Sequence, residues 1–251
     1  GGRWGFVRLD GSTLGAFRYS GALDFRDGYA GVRVGPDRDH LWGMIDSEGR
    51  EVLPIAFWGL AYAGEGRWWV GRSWGEWALY EPGDPAPSEF PYRSRGTFED
   101  GYFIVSRDAE GGDGSDRVYR ILDTRLNVIY ESESRIAGYA NRIVLESDSD
   151  GVIYRRLDGT PVREERFYEG RPFERGVARV AAGTSWEDRK WGIMGRDGSY
   201  LMPPRYTSLS EFDENGLARF RIGERFGFVD RRGNEITNRL WDSAGYFGDG
   251  L

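Results

Sequence analysis

The 251-residue chain has no cysteine, a single histidine (His40) and a single lysine (Lys190). Without cysteine there is no disulfide framework, no thiolate zinc site and no cysteine nucleophile, and the redox compartment stays open. His40 closes the loop Asp37-Arg38-Asp39-His40 ahead of Trp42. No nucleophile-elbow sequence accompanies it, so it reads as a solvated loop residue and not as the base of a serine triad. The near absence of lysine among 34 cations reads as the mark of a GC-rich bacterial genome, although arginine does suit bidentate carboxylate pairing. No apolar run approaches the roughly 18 residues that a spanning helix needs, so membrane insertion is not expected. With 41 acidic against 34 basic residues the formal charge is −7. That balance lacks the clustered cations that neutralise phosphates, which disfavours nucleic acid as a partner. Neither a signal-peptide pattern nor an Asn-x-Ser/Thr site is visible, and the expected location is a bacterial compartment, cytoplasmic or exported.

What the chain does have is aromatics and glycine. Trp 10, Tyr 14 and Phe 14 must carry the core, and Gly 38 is about twice the usual share, which suggests regular punctuation. Self-similarity confirms it. Trp4-Gly5-Phe6-Val7, Trp42-Gly43-Met44-Ile45, Trp191-Gly192-Ile193-Met194 and Phe226-Gly227-Phe228-Val229 share one pattern, and seven positions on from the aromatic stand Gly11, Gly49, Gly198 and Gly233. Those glycines mark hairpin turns, where φ > 0 is required cheaply. A short strand follows, such as Glu51-Val52-Leu53-Pro54 or Tyr200-Leu201-Met202-Pro203, which the proline is expected to end at a sheet edge.

A second marker precedes each strand pair: Phe25-x-x-Gly28, Phe98-x-x-Gly101, Phe173-x-x-Gly176 and Phe247-x-x-Gly250. Alternating apolar residues come after it, as in Ala30/Val32, Phe103/Val105 and Ala178/Val180. Weaker copies fall at Gly66, Asn141 and Gly216, asparagine being tolerant of the left-handed region. The markers at 28, 66, 101, 141, 176, 216 and 250 are spaced by 38, 35, 40, 35, 40 and 34 residues, so seven units of about 36 account for the chain. The middle copies are worn, with Trp77, Tyr119 and Val152 in the aromatic position and Ala78, Arg120 and Ile153 in place of the glycine. Insertions fall at Glu81 to Gly96 and at Arg107 to Arg117, where loops belong.

These motifs resemble the WG-repeat family of bacterial proteins, also called KWG repeats, over essentially the full chain. Lys190-Trp191-Gly192 is the only copy with the family's lysine. The resemblance implies a β-repeat architecture and, for most members, an unassigned role in binding other molecules; it implies no catalytic residues. The fold expected is all-β, a single domain over 1–251 that is free to belong to a longer polypeptide. It is built of about seven three- to four-stranded antiparallel units, as a β-propeller or, alternatively, as an open β-solenoid array. The chain starts at a Trp-Gly strand that lacks its preceding strand and stops where that strand would begin. A blade completed from both chain ends has this offset, and so has a cut from a longer array.

Chemistry is harder to find. The acidic residues follow turns and loops, not a flanking pair for a glycosidic bond. Gly111 to Tyr119 fits one copy of a calcium-binding nonapeptide, but one copy lacks the neighbouring coil and reads as an acidic insertion. Glu146 to Leu157 starts like an EF-hand loop and fails at position 12, where Leu157 replaces the bidentate glutamate. No metal site and no cofactor are expected. Trp4, Trp42, Trp77, Trp191 and Phe226 are repeat positions, whereas Trp58, Trp68, Trp69, Trp74, Trp186 and Trp241 fall outside the register. Trp68 and Trp69 must point to opposite faces of a shared strand. Trp58, Trp68, Trp69, Trp74 and Trp186 are therefore the candidate binding residues, as anchors for a protein or platforms for a sugar ring. The expectation is a non-catalytic protein-interaction module, with carbohydrate or cell-envelope binding as the alternative.

Overall fold

The computed structural model describes residues 3–36, 40–93, 96–99, 101–110, 116–236 and 240–245. The fourth Phe-x-x-Gly marker at Phe247, the loop residues Asp37 to Asp39 and the glycine-rich run at 111–115 lie outside the described residues.

Among the described residues twenty-three strands form seven antiparallel sheets, in each of which chain neighbours are hydrogen-bonded neighbours. The chain divides into two compact units, Gly1–Glu133 and Ser134–Leu251. In the first unit, β1 (Trp4–Val7) pairs with β2 (Thr13–Tyr19). The second sheet is β3 (Gly21–Ala22), β4 (Tyr29–Val34), β5 (Leu41–Asp46) and β6 (Glu51–Phe57). The third is β7 (Gly59–Gly64), β8 (Arg67–Ser73) and β9 (Glu76–Tyr80). The fourth is β10 (Thr97–Glu99), β11 (Tyr102–Asp108), β12 (Arg117–Leu122) and β13 (Val128–Ser132). The second unit holds β14 (Arg135–Ala140), β15 (Ile143–Asp148) and β16 (Gly151–Arg156), then β17 (Glu169–Gly170), β18 (Val177–Ala182), β19 (Lys190–Gly195) and β20 (Tyr200–Tyr206). Its last sheet is β21 (Ser208–Leu209), β22 (Leu217–Ile222) and β23 (Arg225–Asp230). This is an all-β, propeller-like repeat fold of seven small sheets.

The structure gives the Trp-Gly dipeptide a physical reason. Opposite Trp42 and Met44 stand Phe57 and Leu53, so two steps on β5 face four on β6 and the partner strand bulges. A Cβ at Gly43 would sit 2.7 Å from the Leu53 carbonyl oxygen and 2.8 Å from the Ile55 Cα. The same bulge recurs between Trp191/Ile193 and Tyr206/Met202. Glycine is needed because the bulging strand closes onto the backbone of its neighbour. The bulge also corrects the expectation for the prolines: β6 runs through Pro54 and β20 through Pro203 and Pro204, so they do not end these strands. A bulge leaves residues without ladder bonds, and a residue with no N–H loses nothing there.

A periodicity missed in the sequence follows from the same geometry. The residue fifteen places after the motif aromatic returns to pair with it: Trp4 with Tyr19, Trp42 with Phe57, Trp77 with Tyr92, Val152 with Phe167, Trp191 with Tyr206 and Phe226 with Trp241. Trp241 is therefore a repeat position, and Tyr206 ends the third long strand of its sheet. The additional strand of a repeat is the one before the glycine marker, two residues long in β3, β17 and β21 and six in β7 and β14.

Turns hold the register. Asp46 Oδ1 accepts from the backbone N–H of Glu48 and of Arg50, and Asp123 and Asp230 do the same for their own turns. Asp10, Asp158 and Asp197 sit two places later and each accepts from a Ser or Thr. These bonds, led by the side-chain bonds from Ser12, Arg50, Asn127, Thr160 and Ser199, hold the carboxyls of Asp10, Asp46, Asp123, Asp158 and Asp197 below the ordinary value of 3.8. A carboxyl depressed by folding contributes stability above its unfolded pKa and loses it as pH falls through the folded one. Thermal unfolding is thus expected to be flat in pH from 8 to about 5 and to drop below about 4; a calorimetric series across that range checks it.

Two turns lack the glycine that the others use. Leu126, at the hairpin position of Gly49 and Gly198, has φ 65°, and Arg142, at the position of Gly28 and Gly176, has φ 63°. The glycine register is thus at Arg142, one place after the Asn141 aligned in the sequence. Left-handed conformations cost side-chain-bearing residues about 1 kcal/mol. Leu126→Gly and Arg142→Gly are each expected to stabilise the fold by about that amount, additively because they lie in different units. Denaturant midpoints of the single and double variants give the measurement.

The core lies between consecutive sheets. In the first unit, one layer joins Leu14 and Tyr19 to Ala30, Val32 and Ile45, a second joins Met44 and Leu53 to Leu60, Trp68, Val70 and Tyr80, and a third joins Trp69 and Trp77 to Phe103, Val105 and Leu122. In the second unit, Tyr154 and Phe167 pack with Ala178, Val180 and Met194, while Ile193 and Tyr206 pack with Ala218, Phe220 and Val229.

Candidate functional site

Burial divides the candidate tryptophans. Trp68 and Trp69 are 0% and 2% exposed, which corrects the expectation that either meets a ligand. Alternation along β8 sends them to opposite faces, but each face is covered by a neighbouring sheet. Among the repeat positions, Trp77 and Trp191 are buried, Trp42 and Phe226 are half-buried and Trp4 is exposed.

The remaining three stand out. Trp74, Trp186 and Trp58 are 86%, 68% and 41% exposed. Trp74 occupies the turn between β8 and β9, and Trp186 the loop between β18 and β19. Both connections join the strand after the Phe-x-x-Gly marker to the strand bearing the motif aromatic. The two tryptophans are thus in equivalent loops of their own sheets.

Around Trp74 the surface is built on Trp77. Gly59 and Gly71 flank its ring so closely that a Cβ at either would lie within 3 Å of it, at 2.6 and 2.9 Å. Trp58, in the bend between β6 and β7, sets its indole 5.9 Å from Trp77, and Trp74 lies 6.1 Å beyond Trp58, both near edge-to-face at 71° and 85°. Such pairs hold the exposed rings at little entropic cost. Beside them Glu76 accepts from Arg72 and Ser73. Those bonds, Arg72 first, hold its carboxyl at about 2. The Arg72 guanidinium in turn lies 5.2 Å over the Phe90 ring.

Trp186 is presented differently. Asp188 accepts from the backbone N–H groups of Ser185 and Thr184 and from both hydroxyls, which holds its carboxyl at about 2 and ties the loop into a knot. The Arg189 guanidinium stacks 3.2 Å over the Trp186 ring and also pairs with Glu169 at 3.1 Å. One indole face is covered and the other is open.

Elsewhere the ionisable groups serve the scaffold. A cavity of ≈ 510 Å³ in the second unit is lined by Arg179, Ser210, Asp213 and Arg219, among others. Arg179 donates to the Leu209 carbonyl and to Glu211, Arg219 to the Ala244 carbonyl, and Asp213 accepts from the Leu217 N–H. Ser210 donates to the carbonyl of Glu211 and not to a base. His40 stands edge-on to Trp42 at 6.3 Å. Among the described residues no group of three or more His, Cys, Asp or Glu side chains converges to hold a metal ion. Among the described residues no helix is long and apolar enough to cross a membrane.

Comparison with curated proteins finds no match. A crystal structure of a eukaryotic initiation factor matches at TM-score 0.50 and 13% identity, covering 90% of this chain and 68% of that one. The WD40 domain of Toxoplasma gondii coronin aligns over 97% of this chain and 74% of its own at 9% identity and TM-score 0.38. At such identities the first likeness speaks of the fold alone. The family model for the WG-containing repeat matches residues 4–35 and 191–225. These two stretches are similar to the WG-containing repeat, and further copies stand in the same register on the sheets around them.

Proposed function

We propose that this chain is a non-catalytic module that binds another protein through the exposed tryptophans of its equivalent loops. The observation that carries the reading is the pair Trp58–Trp74, two exposed indoles held edge-to-face over a buried third. Rigid, amphipathic aromatics on a fixed scaffold are what dominate protein interfaces. A sugar site would need flat stacking faces with free hydrogen-bond acceptors beside them. Here the indoles meet at steep angles, one face of Trp186 is taken by Arg189, and the nearby carboxylates Glu76 and Asp188 are already engaged.

The test is affinity capture from the native cell's lysate with the parent chain, Trp74→Ala, Trp58→Ala and Trp186→Ala. A protein retained by the parent and bound roughly thirty-fold or more weakly by at least one variant is the expected result. Retention of glycan or envelope material in place of a protein would replace this reading with the carbohydrate one. Because Glu76 and Asp188 titrate near 2, binding is expected to vary little between pH 5 and 8 through these groups.

A further inference from the structure

The turn that carries the glycine marker takes two consecutive residues at positive φ: Asp27-Gly28 at 49° and 86°, Glu65-Gly66 at 51° and 72°, Arg175-Gly176 at 48° and 90°. In the β14–β15 turn the pair is Asn141-Arg142, at 55° and 63°. An arginine thus holds the place that Gly28, Gly66, Gly101, Gly176 and Gly216 hold in other sheets. That conformation strains any residue with a Cβ, and the Arg142 side chain recovers nothing within the chain. Among the described residues it makes no hydrogen bond and no ion pair. It lines instead an open cleft of ≈ 780 Å³ in the second unit, together with Arg156 and Arg196. All three arginines are exposed, and Leu157 lies half-buried in the same wall. They come from turns of two sheets that share a core layer. Arg196 Nη2 donates to the Asn141 carbonyl at 3.1 Å, which ties the β19–β20 turn to the β14–β15 turn, and Arg156 Nη1 donates to the Pro161 carbonyl at 2.9 Å. Among the described residues none of the three pairs with a carboxylate, whereas Arg163, Arg166, Arg171, Arg179 and Arg189 of the same unit each do. The turn itself does not call for arginine at 196, since Leu9, Ser47, Thr124 and Leu157 stand at that position in other repeats.

We propose that this cleft binds an acidic segment of a partner protein, with carboxylate side chains on Arg142, Arg156 and Arg196 and an apolar side chain between them on Leu157. Planar guanidinium forks match carboxylates in a paired geometry, and clustered arginines are a recurring way to read acidic motifs. Two carboxylates also line the cleft, and their own turns occupy them. Asp158 Oδ1 accepts from the Thr160 N–H and hydroxyl, and Asp197 Oδ1 accepts from the same groups of Ser199. They place fixed negative charge beside the arginines, which suits a ligand with a few separated charges and opposes a continuous polyanion. The formal charge of −7 on the whole chain opposes a polyanion too. The Trp186 loop precedes β19 and the Arg196 turn follows it, so the two surfaces stand at opposite ends of that strand and either can fail without the other.

The probe is a terminally blocked peptide, Glu-Leu-Glu-Glu, titrated into the full chain by calorimetry beside the glutamine peptide Gln-Leu-Gln-Gln. The expected result is saturable binding of the glutamate peptide that weakens as salt is added, and none of the glutamine peptide. Arg142→Gly should bind it roughly tenfold or more weakly, and Arg196→Gln likewise. Arg142→Gly separates recognition from folding, because the variant that loses the ligand is also the one whose denaturant midpoint should rise. Undiminished binding by Arg142→Gly, equal binding of the two peptides, or no saturable binding of the glutamate peptide would each overturn the proposal. So would Arg142-dependent binding of inorganic phosphate or of a single-stranded oligonucleotide that exceeds binding of the peptide, which would assign the cleft to a phosphate ligand.

Discussion

Gly192→Val is expected to cost about 3 kcal/mol or more. The reason is backbone, not side chain. A Cβ at Gly192 would lie 2.7 Å from the Met202 carbonyl oxygen and 2.7 Å from the Pro204 nitrogen, and neither atom can swing aside. The strand would have to give up the bulge that lets Tyr206 return to Trp191, and with it the layer of Ile193, Met202 and Phe220. Gly245→Val is the control, since nothing lies within 4 Å of a Cβ there and no stability change is expected. Chemical denaturation of the two variants beside the parent makes the comparison, and a small loss at Gly192 would show that the bulge is softer than its geometry implies.

Trp68→Ala is expected to cost about 3–5 kcal/mol, as large aromatic truncations in a packed core do. Trp68 fills the layer between the second and third sheets with Met44, Leu53 and Tyr80, and Tyr62 meets its ring edge-on at 5.4 Å. Its indole N–H is buried without a hydrogen-bond partner, so phenylalanine at this position forfeits no bond. Trp68→Phe should therefore retain most of the stability that Trp68→Ala loses. In a repeat fold the damage should fall on the adjoining sheets first. Hydrogen exchange should then show faster opening for β5, β6, β8 and β9 than for strands of the second unit. Equal loss in the phenylalanine and alanine variants would mean that the indole nitrogen does have a partner in solution.

These two residues also show what the sequence could and could not convey. The repeat count, the turn glycines and the strand after each Phe-x-x-Gly were legible because tight turns and buried strands constrain residue type locally. The bulge was not. It shifts the partner strand by residues that carry no signature of their own, so Pro54 and Pro203 read as strand ends when they lie within strands. The return of an aromatic fifteen places on was present in every well-preserved copy, and in two of the three worn ones as Tyr92 and Phe167, but its meaning depends on the bulge. At the candidate site, position in the register separated the tryptophans only partly. Trp68 and Trp69 alternate as a half-exposed strand would, and only the sheets on both sides bury them. Trp74 and Trp186 became a pair once the strands showed that their loops are equivalent.

The most direct measurement is hydroxyl-radical footprinting of the individual tryptophans, in the free chain and in complex with the captured partner. In the free chain Trp74, Trp186 and Trp58 should react in that order of exposure, while Trp68 and Trp69 stay inert. On complex formation Trp58 and Trp74, or Trp186, should lose reactivity while the buried pair remains unchanged. Full reactivity of all three exposed indoles within the complex would contradict the account, because the partner would then be held by a surface other than the tryptophan loops.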